Sequence, residues 1–118
     1  MRLECPFPMP ELHLYHSRRK AEAAAHRIGF GPGEGPTDAD AQTWFADGVA
    51  IVLIEADCDW HSAAALLCHE AVHVADAWLE HLGEESPADE ERAYMVQAVA
   101  EPLFRGHERW LRKHGRGA

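Results

Sequence analysis

Residues 49–54, Val-Ala-Ile-Val-Leu-Ile, contain no polar position, and this run constrains the fold more than any other stretch of the chain. A strand with one face in water alternates polar and apolar residues. This one does not, so both of its faces need cover. Asp47-Gly48 stands directly before it, and Thr43-Trp44-Phe45 before that. Asp-Gly is a favoured two-residue hairpin turn because both residues tolerate positive φ. Residues 41–55 are therefore expected to form a hairpin whose second arm lies inside the molecule. Leu12-His13-Leu14-Tyr15 alternates weakly and reads as a further short strand. The expected fold class is α+β: a small mixed or antiparallel sheet of about three strands packed against helices.

The remaining segments follow from local signals. Residues 1–10 carry three prolines and read as an irregular arm. Ser17 suits an N-cap, residues 18–28 a helix, and Gly29 its C-terminal stop. The Gly/Pro-rich stretch 30–40 reads as a loop. A long apolar helix is expected up to about Leu82, capped by Asp59 or Ser62 and ended by Gly83. Ser86-Pro87-Ala88-Asp89 suits a second helix start, with Ser86 as N-cap, Pro87 at the first helical position and Asp89 closing a capping box. Pro102 should kink or interrupt that helix, because its ring clashes with the Ala98 carbonyl. Residues 103–114 can continue it, and 115–118 fray.

At 118 residues the chain is expected to form one domain, with no internal repeat. A net charge of −9 argues against general nucleic-acid or anionic-membrane binding. The charge is uneven: Arg18, Arg19, Lys20 and Arg27 cluster early, and Arg105, Arg109, Arg112, Lys113 and Arg116 late. These clusters read as solvated helix faces, with a local basic patch as the alternative. The first ten residues have no signal-peptide core and no apolar run reaches membrane-spanning length, so a cytosolic location is expected. Three cysteines give no disulfide framework, and Cys68 reads as a buried thiol.

Within the long apolar helix lies His69-Glu70-Ala71-Val72-His73. Four residues are just over one helical turn, so both imidazoles share a face and can reach one metal ion, with Glu70 beside it. This is the HExxH pattern, two zinc ligands and a general base. With nine His and thirteen Glu in 118 residues, chance supplies about 0.07 such pentads, so context must carry the rest. The context is apolar on both sides, where two imidazoles and a carboxylate are costly without a partner.

Catalytic zinc usually has three protein ligands and one open position. A metzincin would place Gly at position 76 and His at 79, where this chain has Asp76 and Leu79. The alternative is a carboxylate in the first turn of the next helix: Asp89, Glu90 or Glu91. Taking Ala93, Val96, Ala100 and Leu103 as the apolar face, Asp89 lies near its centre with a capping role, and Glu91 points further away. Glu90 sits on the flank with Tyr94 and Gln97, and is the preferred third ligand. His81 is too far along the axis to share the ion, and His13, His16 and His61 remain unassigned. Trp44, Trp60, Trp78 and Trp110 read as packing residues. One arm of the hairpin is a candidate cleft rim, where an extended peptide would add as a strand.

His69-Glu70-Ala71-Val72-His73 followed by Glu90, Ala93 and Tyr94 in the form E-x-x-A-Y resembles a gluzincin-type zinc metallopeptidase reduced to a minimal domain. It is similar to small HExxH proteins encoded by bacteriophages and prophages. More distantly, it resembles the repressor-cleaving peptidases of mobile elements, which show E-x-x-A-N or E-x-x-A-D at the third ligand. The resemblance covers roughly residues 41–100 and implies a zincin-like fold and a zinc-dependent hydrolase in the cytoplasm of a bacterial or phage-infected cell. Its substrate would be a protein or peptide. His69, His73 and Glu90 would hold Zn2+, Glu70 would be the general base, and Tyr94 is the candidate oxyanion donor. Asp76, one turn past His73, is the candidate for orienting a ligand imidazole. The competing expectation is a phage-type assembly or interaction protein with a structural or vestigial zinc site.

Overall fold

The computed structural model describes residues 1–5, 9–31, 40–55, 59–84, 86 and 88–114. Four strands, β1 (Arg2–Leu3), β2 (Glu11–Tyr15), β3 (Ala41–Ala46) and β4 (Val49–Ile54), form one mixed sheet in the order β1-β2-β4-β3. Three helices, α1 (Arg18–Arg27), α2 (Trp60–His81) and α3 (Asp89–Lys113), complete the α+β fold. β4 runs parallel to β2 and antiparallel to β3.

The apolar run at 49–54 does what its composition requires. Ala50, Val52 and Ile54 pack with Leu67, Ala71 and Val74 of α2 and with Val99 and Leu103 of α3. Ile51 and Leu53 pack on the opposite face with Trp44 and with Ala21, Ala24 and Ala25 of α1. The sheet is thus covered on both sides, and all five of these β4 residues are buried. The hairpin turn has Asp47 at φ 51° and Gly48 at φ 78°, which sets the register Ala46↔Val49 through Trp44↔Ile51 to Ala41↔Ile54.

Helix ends follow their local signals where a side chain can reach. The Ser17 hydroxyl accepts the Lys20 N–H, and Gly29 (φ 106°) follows the end of α1. Asp59, rather than Ser62, caps α2 by accepting the Ser62 N–H at 2.9 Å. That bond holds the Asp59 carboxyl below its usual range. Gly83 at φ 89° ends α2.

Four expectations need correction. The first ten residues are not wholly irregular: Arg2–Leu3 forms β1, paired antiparallel as Arg2↔His13 and Leu3↔Leu12, which makes the fourth strand. The start of α3 is Asp89 with Ala88 at the N-cap and no side-chain capping bond, so the Ser86 capping box does not form; Pro87 lies outside the described residues. α3 runs uninterrupted through Pro102, whose ring is buried and whose missing N–H leaves the Ala98 carbonyl without its helical donor. Cys68 is exposed, because α2 turns Leu67 and Ala71, not position 68, into the core. No described helix is long and apolar enough to cross a membrane.

Close packing of α3 on the sheet needs Gly106. A Cβ there would stand 2.6 Å from Leu3 Cδ2 and 3.3 Å from Leu14 Cδ2, so the side-chain tips of these β1 and β2 leucines reach the helix backbone.

Candidate metal centre

α2 buries Ala63, Leu67, Glu70, Ala71, Val74, Ala75 and Trp78, and this stripe faces β3, β4 and α3. His69 and His73 stand at the exposed margin of the stripe, beside β3. Their Nε2 atoms face each other at 3.1 Å. Two zinc–nitrogen bonds of about 2.0 Å at a tetrahedral angle need a separation of about 3.3 Å, so the pair suits a single ion with little movement.

Glu70 is only 4% exposed, yet one of its oxygens faces the pair. Oε2 lies 4.0 Å from His69 Nε2. Oε1 accepts the Thr43 hydroxyl at 2.7 Å. Thr43 therefore anchors one carboxylate oxygen and leaves the other turned toward the imidazoles. Ala41, Thr43 and Phe45 of β3, with His69, Glu70, His73 and Ala77 of α2, line a cavity of about 430 Å³. β3 is an outer strand of the sheet, so the cavity opens along a sheet edge.

The carboxylates of α3 are arranged differently from the sequence reading. The buried face of α3 is Val99, Pro102, Leu103, Gly106 and His107, while Ala93 is exposed. At about 100° per residue, Glu90 lies roughly 180° around the helix from Val99. Asp89, Glu90 and Glu91 are all exposed. Among the described residues, no third His, Cys, Asp or Glu groups with His69 and His73. The residue that the first turns of α3 send toward α2 is Arg92, about 20° from Val99 on the same wheel.

Arg92 holds Asp76 in a bidentate pair, Nε to Oδ1 at 2.7 Å and Nη2 to Oδ2 at 2.9 Å. Those bonds push the Asp76 carboxyl below its usual range, with a smaller contribution from His73 nearby. Asp76 thus ties α2 to α3, and reaches His73 through its charge. Tyr94 is 67% exposed and lines a separate hollow with Gln97, Ala98 and Pro102, not the cavity of the histidine pair.

Thr43 and Arg92 were missed in the sequence. A signal existed for Thr43: strand alternation sets it on the same face as Phe45 and opposite Val52, a polar residue directed at an apolar helix. Arg92 had no such signal, since only the true face of α3 reveals it. The chain matches no protein-family model, no curated protein and no solved structure.

Proposed function

We propose that the chain is a zinc-dependent peptidase of HExxH type, acting on a protein or peptide. The observation that carries this reading is the convergence of two imidazole nitrogens beside a buried carboxylate that has one oxygen anchored and the other turned toward them. His69 and His73 would hold the ion. When bound there, zinc supplies Lewis-acid polarisation of the scissile carbonyl and acidifies water. Glu70 takes the proton of the attacking water at Oε2 and passes it to the leaving amine. Thr43 keeps that oxygen aimed through its bond to Oε1. An extended peptide adding to the outer edge of β3 would run past Thr43 and the histidine pair, which favours β3 as the cleft rim.

One observation favours a second reading, an interaction protein of phage type with a structural or vestigial zinc site. The described residues group no third protein donor with the pair, and α3 turns Glu90 outward. A peptide-library assay of zinc-loaded wild type and Glu70→Gln separates the two. Zinc retained with cleavage lost in Glu70→Gln supports the enzyme. Zinc bound by wild type without cleavage of any peptide supports the second reading and rejects the first. Glu90→Ala should keep zinc affinity within about twofold, since loss of a real ligand costs tenfold or more.

A further inference from the structure

A second cavity, of about 550 Å³, lies between the end of β2, the start of α1 and the last turns of α3. Its cationic side chains are Lys20 from α1 and Arg109 and Lys113 from α3, Met1 with its terminal ammonium also lines it, and no acidic side chain does. In a chain whose acids outnumber its Lys and Arg 20 to 11, three cations without a carboxylate are unexpected. Among the described residues, none of the three pairs with a carboxylate. Their neighbours on α3 behave otherwise. Arg105 pairs with Glu101 and Arg112 with Glu108, each one turn back on the same helix. One turn before Arg109 and Lys113 stand Arg105 and Arg109, so helix spacing offers them no acid. Among the described residues, Arg109 makes one weak polar contact, Nη2 to Met1 Sδ at 3.8 Å.

Helix-dipole compensation accounts for Lys113 in the last turn of α3. It fails for Lys20, which sits in the first turn of α1, where no acid is present and the dipole is itself positive. The rest of the lining is mixed: Leu14, Tyr15 and Trp110, with Met1, His16, Ser17 and His114. Trp110 is held in place between the rings of His16 and His114, with centroids 4.0 and 4.4 Å away. The volume is that of a small-molecule site.

We propose that this cavity binds a small organic anion. Its phosphate or carboxylate group is held by Lys20, Arg109 and Lys113, and its apolar part lies against Tyr15 and Trp110. The site is independent of the histidine pair, so it stands or falls separately from the peptidase reading.

The test is titration of the full chain with phenyl phosphate, benzoate and inorganic phosphate, with sodium chloride as the ionic-strength control. The readouts are calorimetry and the Trp110 indole NMR signal, assigned with Trp110→Phe. Saturable binding with a Kd on the order of 1 mM or tighter is expected for phenyl phosphate or benzoate. Whichever binds more tightly names the anionic group. Inorganic phosphate should bind more weakly, because it lacks the apolar part. Lys20→Gln, Arg109→Gln and Lys113→Gln, all at exposed positions, should each weaken binding roughly tenfold without changing the circular dichroism spectrum. Lys20→Glu should abolish it. An indole response equal to that of chloride, or one that survives the three Gln substitutions together, would overturn the proposal.

Discussion

Replacing Thr43 by Val keeps the shape of the side chain and removes the donor to a buried carboxylate. The bond is short, 2.7 Å, and Glu70 has 4% of its surface in water, so solvent cannot replace the lost hydroxyl well. Hydrogen bonds to charged groups contribute about 1.5–3 kcal/mol. We therefore expect Thr43→Val to lose about 2 kcal/mol, a fall in Tm of roughly 8 °C for a domain of this size. Thr43→Ser keeps the oxygen and should lose less than about 1 kcal/mol. In a Glu70→Gln background the carbonyl still accepts, but without charge, and the same Thr43→Val step should cost only about 1 kcal/mol. Urea and thermal unfolding of the four proteins, read as a double-mutant cycle, measure the coupling. If Thr43→Val is as stable as wild type, or costs the same in both backgrounds, the carboxylate does not depend on Thr43 and the aim of Oε2 is unexplained. In the peptidase reading, Thr43→Val should also lower kcat about tenfold, with KM nearly unchanged.

Two other outcomes follow from the fold. His16 Nε2 and His107 Nδ1 share a hydrogen bond of 2.8 Å among Trp60 and Trp110 rings. Burial first, then the charges of His107 and His114, lowers the His16 pKa from the usual 6.5 to about 3. A lowered folded-state value makes this stability complete above pH 6.5 and drains it as pH falls toward 3. The loss at pH 5 is about 2 kcal/mol by linkage, halved to about 1 kcal/mol because the ring is only partly buried. His16→Phe should flatten the pH dependence of Tm between 7 and 5 by about 4 °C. At the hairpin, Gly48→Ala forces an L side chain to φ 78° and should cost about 1 kcal/mol, measured by urea unfolding.

What could be read from the residues was whatever chemistry is local. Asp47-Gly48 encodes its own turn, Ser17 and Asp59 cap by reaching three residues ahead, and positions 69 and 73 meet because helix geometry brings them together. The fold class followed from one run that had to be covered on both faces. Pairing at a distance was not legible. β1 is two residues long and exists only because β2 offers an edge ten residues on. The face of α3 is only partly legible: Val96, Ala100 and Leu103 do pack on the core, but the buried stripe is rotated toward Val99, Pro102, Gly106 and His107, which leaves Ala93 exposed. That rotation moved Glu90 away and brought Arg92 onto Asp76.

His69 and His73 are proposed to grip one divalent ion. Cobalt titration followed by visible absorption, with zinc competition for stoichiometry, tests it directly. The prediction is one ion per chain in wild type and Glu70→Gln, with affinity lowered at least about a hundredfold in His69→Gln and in His73→Gln. Cobalt or zinc that fails to bind stoichiometrically, or binds equally well after either histidine is replaced, would contradict it.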